Sequence, residues 1–174
     1  MNNMDTPVFY ATLPTPQGTL YVAATTKGLC YVSSFYETKE DLIAFIDKKI
    51  PSPLLQQSEE EMQIYLQQLQ EYFEGTRQTF SLPLDLRGTA FQKSVWMGLN
   101  SAPYGKTKDY EMIAKKINHP TAIRAVSSAI GKNPLTIVLP CHRIIRKNGE
   151  LGGYRGTLAM KKFLLQHETD HLDN

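Results

Sequence analysis

The chain has 174 residues, of which 41% are hydrophobic and 21% charged, proportions typical of a globular protein with one domain or two small ones. No apolar run approaches the roughly 20 residues that cross a bilayer, and the N-terminus lacks the basic and apolar regions of a signal peptide, so we expect a cytoplasmic protein without membrane association. Two cysteines, Cys30 and Cys141, could form one disulfide, but so few suit a reducing compartment better.

Charge is unevenly distributed along the chain. Residues 1–86 hold 5 Lys and Arg against 11 Asp and Glu, a net charge of −6, whereas residues 87–174 hold 14 against 6, a net charge of +8. A basic half beside an acidic half predicts that the C-terminal half meets a polyanion. Charge alone leaves a second interpretation open, a solvated basic surface that has no partner.

The first elements predicted along the chain are three strands. The β-rich runs 8–12, 19–23 and 29–33 are separated by segments rich in proline, glycine and threonine, which are typical of turns. They predict a small antiparallel sheet in which Cys30 packs.

Two helices are predicted after this sheet. The shorter lies around residues 41–46. The longer runs from Ser58 to Phe73, with Ser58 as N-cap, Glu61 in the capping-box position and Gly75 just past its end.

A further strand is predicted at residues 79–82, followed by a linker around residues 85–88. We place the domain boundary in this linker. It divides the chain into an N-terminal α/β domain, 1–86, and a C-terminal domain, 87–174.

Three helices are predicted early in the second half. Their N-caps are Thr89, Asp109 and Thr121, and the third helix ends near Ile130. Two short helices joined by a tight turn in a basic domain outline a helix-turn-helix. Apolar residues at helical spacing predict the buried faces: Phe91, Val95 and Leu99, with Trp96 also in the core; Tyr110, Ile113, Ala114 and Ile117; and Ile123, Val126 and Ile130.

The third of these helices has a second face made of Arg124, Ser127, Ser128 and Gly131. Small residues let a helix approach a sugar-phosphate backbone closely, and a single long cation can enter a groove. The alternative is an exposed arginine on a helix rich in alanine and serine.

The segment from Thr136 to Ile145 is a β-type apolar run interrupted by Cys141, His142 and Arg143. A cysteine near a histidine and cations is a candidate nucleophile, because the thiolate is the reactive form. Pro140 removes a donor from the strand ladder and indicates an edge, turn or bulge. The alternative is a buried cysteine that serves as a small hydrophobic residue.

Three motifs of the second half resemble one family. Pro140-Cys141-His142-Arg143, preceded by Gly131-Lys132-Asn133-Pro134 and followed by Gly152-Gly153-Tyr154-Arg155-Gly156, is similar to the active-site segment of the O6-alkylguanine-DNA alkyltransferases, or methylated-DNA–protein-cysteine methyltransferases. The similarity runs from about Gly88 to Glu168. The N-terminal half resembles the family's variable domain in length and layout only.

The resemblance implies an α/β fold, with a small ribonuclease-H-like N-terminal domain built on an antiparallel sheet and a mostly helical C-terminal domain with a winged helix-turn-helix. It implies single-turnover transfer of an alkyl group from O6 of guanine, less well O4 of thymine, to the protein's own cysteine after base flipping. The implied partner is double-stranded DNA containing O6-alkylguanine, and we expect a monomer without cofactor or metal.

The resemblance also implies the site residues. Cys141 would be the alkyl acceptor, served by His142 through a water and by Glu168, while Tyr110 crowds the target phosphate and donates a proton, and Asn133 acts as a hinge. DNA contacts would come from Tyr110, Ala122, Arg124, Ala125, Ser127, Ser128 and Gly131, with Arg124 as the arginine finger. The guanine pocket would be lined by Val138, Pro140, Gly152, Gly153, Tyr154 and Arg155.

The sequence departs from the family at Asp109, where serine or threonine is commoner, and at Arg155 and Thr157, where small residues are. These departures leave the preferred alkyl size open. The rival functions are a lesion sensor or helix-turn-helix regulator without chemistry, and a Cys-His hydrolase. The sensor is disfavoured because non-reactive relatives replace the cysteine that is present here.

Overall fold

The computed structural model describes residues 4–152 and 154–173. The chain divides into two compact units between Arg87 and Gly88. The first unit is a sheet with two helices, and the second consists mostly of helices. The predicted α/β class, with a sheet domain followed by a mostly helical one, is confirmed.

The first unit is built on four strands: β1 (Thr6–Thr15), β2 (Gly18–Thr25), β3 (Gly28–Val32) and β4 (Pro53–Gln57). The first three form the predicted antiparallel sheet, and β4 adds to its edge parallel to β1, giving the order β3-β2-β1-β4. Strand β4 was not predicted, because its Pro-Leu-Leu-Gln-Gln sequence lacks the β-branched and aromatic residues that identify a strand.

The predicted strand at residues 79–82 is wrong. The backbone of Ser81 bonds to the side chain of Gln68 instead of a strand, at 2.9 and 3.1 Å. Pairing with the sheet is limited to a bridge between Leu29 and Leu84, after Pro83. Because proline has no N–H to donate, the ladder cannot extend back through it.

Helices α1 (Lys39–Lys49) and α2 (Glu59–Phe73) complete the first unit. Ser58 caps α2 as predicted, accepting a hydrogen bond from the N–H of Glu61. The reciprocal half of the predicted capping box is replaced, because the N–H of Ser58 donates to the Tyr10 carbonyl at 2.9 Å, where the pairing of β4 with β1 ends. Cys30 is fully buried in the core, as predicted.

The second unit contains four α-helices: α3 (Ala90–Gly98), α4 (Tyr110–Lys116), α5 (Ile123–Ile130) and α6 (Leu158–Asp170). Strands β5 (Lys108–Asp109) and β6 (Ile144–Ile145) pair in parallel. Thr89 and Asp109 cap α3 and α4 as predicted. The buried indole of Trp96 donates to the carbonyl of Ala129 at 2.8 Å, which ties α3 to α5.

Helix α5 differs from its prediction at its N-terminus. It starts from Ala122, without a side-chain cap, rather than from Thr121. Ile123 is 41% exposed, and Ala129 is buried in its place beside Val126 and Ile130. The contact of Ala129 with α3 sets the buried face, and Ile123 in the first turn lies outside it.

Only Ile144 and Ile145 of the β-type run from Thr136 to Ile145 form a strand, while the turn expected at Pro140 is observed directly after it. Turns precede this strand, and Cys141–Arg143 forms a single 3-10 turn. Every residue from 133 to 144 is buried. A buried irregular segment has the same apolar composition as a buried strand, so the pattern could not distinguish them.

Candidate active site

The side chain of Asn133 holds the backbone that leads to Cys141. Its amide donates to the carbonyls of Leu139 at 2.8 Å and Leu135 at 3.3 Å, and its oxygen accepts from the N–H of Leu135 at 3.0 Å. Between these residues Ile137 has a φ of +71°, a conformation that strains a β-branched residue. The amide thus replaces the backbone partners that a strand would have supplied.

Cys141 begins the 3-10 turn and is only 1% exposed. Burial raises the pKa of the Cys141 thiol, while hydrogen bonding by Asn133 and the charges of Arg155 and Lys161 act in the opposite direction. The net direction is upward, so the resting sulfur is a protonated thiol. It needs a base before it can act as a nucleophile.

The carboxylate of Glu168 on α6 gathers the groups next to Cys141. It lies 2.6 Å from Nε2 of His142 and accepts from Nε and Nη2 of Arg143 at 2.8 and 3.1 Å. The N–H of Gly105 donates to it as well, at 3.1 Å. Arg143 also donates through Nη1 to the carbonyl of Ala102 at 2.8 Å. These contacts connect three segments of the second unit through one buried carboxylate.

The protonation states follow from these contacts. Burial raises the pKa of Glu168, but its bonds to His142 and Arg143 outweigh burial and hold that pKa well below its usual range. Burial lowers the pKa of His142, and its bond to Glu168 only partly offsets this. Arg143 therefore supplies the positive charge, and His142 is a neutral imidazole.

A neutral His142 carries its proton on one ring nitrogen only. Because the ionised Glu168 can only accept, that proton lies on Nε2. The other nitrogen, Nδ1, is buried and has no hydrogen-bond partner within the described residues. The site therefore presents a buried, unprotonated imidazole nitrogen next in sequence to a buried thiol.

Lowering the pH should destabilise the second unit. Glu168 and His142 both have lower pKa values in the folded chain than in the unfolded chain. As the pH falls, the unfolded chain therefore takes up protons at these groups before the folded chain does. The stability they provide is complete above about pH 6.5 and decreases as the pH falls through the histidine and then the carboxylate range.

Urea unfolding followed by the fluorescence of Trp96, the single tryptophan of the chain, measures this effect in the second unit. We expect the free energy of unfolding to decrease between about pH 7 and 4, and to decrease less steeply in Glu168→Gln. An equal slope in both proteins would assign the effect to other groups.

The predicted pocket residues lie on two segments. Val138 and Pro140 are buried before Cys141, while Gly152, Tyr154 and Arg155 are half-buried on the later loop. Gly153 lies outside the described residues. Gly152 has a φ of +72°, and a Cβ on it would lie 2.8 Å from the Tyr110 hydroxyl, so the structure brings Tyr110 and this loop together.

The predicted DNA-contacting face lies on α5 and just beyond it. Arg124, Ala125, Ser127, Ser128 and Gly131 are exposed, and Ala122 is half-buried. Within residues 4–152 and 154–173, no ion pair or side-chain hydrogen bond engages Arg124. No hydrogen bond or ion pair therefore links Arg124 to the cluster around Glu168 within the described residues.

One buried residue of this region was not predicted from the sequence. Lys161 on α6 is fully buried, and its ammonium group donates to the carbonyls of Ile144 and Leu151. Lys161, Leu164 and Glu168 follow the i, i+3, i+7 spacing of a buried helix face, and this signal could have identified it. Gly105, which also contacts Glu168, had no such signal.

In the part of the chain that the structure describes, no three His, Cys, Asp or Glu side chains come together to hold a metal ion. None of the described helices is long and apolar enough to cross a membrane.

Comparison with known proteins covers both units. Residues 8–86 match the ribonuclease-like domain of 6-O-methylguanine DNA methyltransferase, and residues 90–170 match the DNA-binding domain of the same family. The chain is 45% identical over 148 residues to the inducible methylated-DNA–protein-cysteine methyltransferase of Bacillus subtilis. The matched region covers 85% of this chain and 83% of that protein.

Two solved structures from Mycobacterium tuberculosis are similar over 94% of both chains. They are an O6-methylguanine methyltransferase, with a TM-score of 0.78 and 36% identity, and OGT in complex with DNA, with a TM-score of 0.73 and 33% identity. The resemblance drawn from the second half is confirmed, and it extends to the first half. The chain belongs to the family of methylated-DNA–protein-cysteine methyltransferases.

Proposed function

We propose that this protein repairs alkylated DNA directly, by transferring an alkyl group from O6 of guanine, and less well from O4 of thymine, to its own Cys141. The observation that carries the proposal is the neutral His142, held by Glu168 through Nε2 at 2.6 Å, with its Nδ1 buried and without a hydrogen-bond partner among the described residues. A buried thiol next in sequence to such a base can be converted to a thiolate through a bridging water.

In the proposed reaction His142 takes the proton of Cys141 through a water. The sulfur then attacks the alkyl carbon, so that the S–C bond forms while the bond from carbon to O6 breaks and its electron pair passes to the guanine. Tyr110, whose pKa burial raises, is protonated and donates its proton to the departing guanine. The proton removed from the thiol restores Tyr110 through solvent.

The product is a thioether, which has no leaving group that a base or nucleophile in the site could displace. Each molecule therefore reacts once and ends as an alkylated protein. No cofactor takes part in this scheme, because the thiol supplies the nucleophile and the guanine is the leaving group.

We further propose that the substrate is duplex DNA and that the target nucleotide is flipped out. O6 of guanine lies on the base edge inside the duplex, where a thiol cannot line up with its alkyl group. The small exposed residues of α5, Ala125, Ser127 and Ser128, would approach the backbone, and Arg124 would fill the space that the flipped base leaves. The basic second half supports this assignment.

Arg124→Ala should slow transfer from an O6-methylguanine duplex by about 10- to 100-fold, because the flipped state loses a charged contact of a few kcal/mol. Transfer from free O6-benzylguanine, which needs no flipping, should change little. Rapid-quench rates on both substrates test this, with Lys48→Ala on α1 as an exposed cationic control. An equal decrease on the free base would place Arg124 in the chemistry instead.

Two further properties belong to the proposal. Cys30 and Cys141 are both free thiols, which supports action in a reducing compartment, the cytoplasm. We also propose that one molecule acts as a monomer on one lesion, since the residues proposed for the chemistry all lie on one unit of one chain.

Intact-mass spectrometry after mixing the protein with excess O6-methylguanine duplex tests the proposed function. A gain of one methyl group per protein, mapped to Cys141, is the expected result. An unchanged mass with lesion-selective binding would replace the proposal with a lesion sensor, and repeated turnover of an ester or peptide would replace it with a Cys-His hydrolase.

A further inference from the structure

Lys161 is a buried cation for which the proposed chemistry has no use. Lys161 is fully buried on α6, and its Nζ donates to the carbonyl of Ile144 at 2.6 Å and to that of Leu151. Removing an ammonium group from water is unfavourable unless hydrogen bonds or opposite charge compensate. A methionine or leucine would fill the same apolar space without that cost, so the ammonium group itself calls for a role.

The two carbonyls belong to segments on either side of the candidate site. Ile144 is three residues after Cys141 and pairs with Lys108 of β5. Leu151 directly precedes Gly152, the start of the half-buried loop described above. The intervening turn is closed by a hydrogen bond from the N–H of Arg146 to the carbonyl of Glu150 at 2.8 Å. The ammonium group therefore joins the two ends of this turn.

The loop after Leu151 leaves little room for displacement. A Cβ on Gly152 would lie 2.8 Å from the Tyr110 hydroxyl and 3.4 Å from Cγ of Arg146. Only a residue without a side chain approaches Tyr110 this closely. A shift of Leu151 would therefore change the distance between the loop and both Tyr110 and Cys141.

The charge of Lys161 also reaches the thiol. Burial lowers the pKa of Lys161 to about 8, and the negative charge of a Cys141 thiolate acts to raise it. The same interaction lowers the pKa of Cys141. A protonated Lys161 thus favours the reactive form of the sulfur, which a purely packing residue would not do.

We propose that Lys161 is a positioning residue for the transfer reaction: its ammonium group holds Leu151 against Ile144, and so fixes the loop that begins at Gly152 relative to Cys141 and Tyr110. This inference deepens the proposed function and rests on it. Lys161 contacts neither the alkyl group nor the guanine in this scheme and acts through the backbone that it joins.

Lys161→Met and Lys161→Gln test the inference. Methionine keeps the length of the side chain and loses the donors and the charge, while glutamine keeps an N–H donor group without the charge. Lys162→Met, at the exposed neighbouring position, is the matched control. The rate constant of methyl transfer is measured in single turnovers with a duplex that carries one O6-methylguanine, from about pH 6 to 9.5, the range in which thiols titrate.

Lys161→Met should lower the rate constant at saturating DNA by about 10- to 100-fold, the range expected for a misplaced reacting group. The DNA concentration at half-saturation should stay unchanged, and the pH–rate profile should move to higher pH. Lys161→Gln should fall between Lys161→Met and wild type, with the same shift in pH. Lys162→Met should match the wild type in both respects.

Rates are expressed per active molecule, by titrating each preparation to completion with the methylated duplex, so that a partly folded variant still gives a valid rate constant. Wild-type rate constants and pH profiles in both Lys161 variants would overturn the inference and leave the proposed function standing. Absence of methyl transfer by the wild-type protein would overturn the proposed function, and the inference with it.

Discussion

Cys141→Ser should abolish methyl transfer to the protein. A serine hydroxyl has a far higher pKa than a thiol. Burial lowers the pKa of His142, so this imidazole is too weak a base to generate the alkoxide. Loss of the nucleophile in comparable nucleophile-histidine-carboxylate arrays costs about 10⁶-fold, which would put the residual rate below detection. Intact mass after incubation with the methylated duplex is the measurement, and the mass should not change.

Cys30→Ala is the matched control, because Cys30 is the other cysteine of the chain. It is fully buried, its Sγ lies 3.4 Å from the carbonyl of Ala23, and burial raises its pKa to about 12. It is therefore unreactive, and Cys30→Ala should gain one methyl group at the wild-type rate. A methyl group found on Cys141→Ser, or lost with Cys30→Ala, would contradict the assignment of the acceptor.

Glu168→Gln should destabilise the second unit by about 3–5 kcal/mol, the usual cost of breaking a buried ion pair by removing one partner. The buried guanidinium of Arg143 would lose its counter-charge. The N–H donors of the new amide group would also face the N–H donors of Arg143 or His142. The same change should slow methyl transfer by about 10²- to 10⁴-fold, because His142 would no longer be held with its proton on Nε2.

The fluorescence of Trp96 during urea unfolding reports on the stability, since this buried residue lies on α3 in the same unit. Glu150→Gln is the matched control: Glu150 pairs with Arg146 at 3.2 Å, with both side chains more than half exposed, and should change stability by less than about 1 kcal/mol. Equal effects of the two substitutions would refute the view that Glu168 holds the unit together.

The local sequence was sufficient for the elements that depend on short-range contacts. Ser58, Thr89 and Asp109 cap their helices because each side chain reaches an N–H only three residues away. The antiparallel strands β1 to β3 follow from β-rich runs and the turns between them. The cap predicted at Thr121 is not observed, and the helix begins instead from Ala122.

The candidate site was only partly accessible from the sequence. The order Pro-Cys-His-Arg pointed to the candidate reactive segment, and the family resemblance singled out Glu168, which by itself is a charged residue near a helix end. The same apolar run suggested a strand, because composition does not reveal that Asn133 satisfies the backbone around it or that Ile137 adopts a positive φ. Strand β4 was not predicted for a related reason, because it is defined by its pairing with β1, which lies far away in the sequence.

By itself the sequence predicted helices α1 to α5, the first three strands, the division of charge and the candidate reactive segment, because each depends on neighbours within a few residues or on composition. The tertiary structure decided which groups meet. Glu168 receives hydrogen bonds from residues 25, 26 and 63 positions away, and Lys161 joins carbonyls 17 and 10 positions away. No local pattern encodes such pairings, because a buried charge becomes favourable only when distant segments of the fold bring donors and acceptors to it.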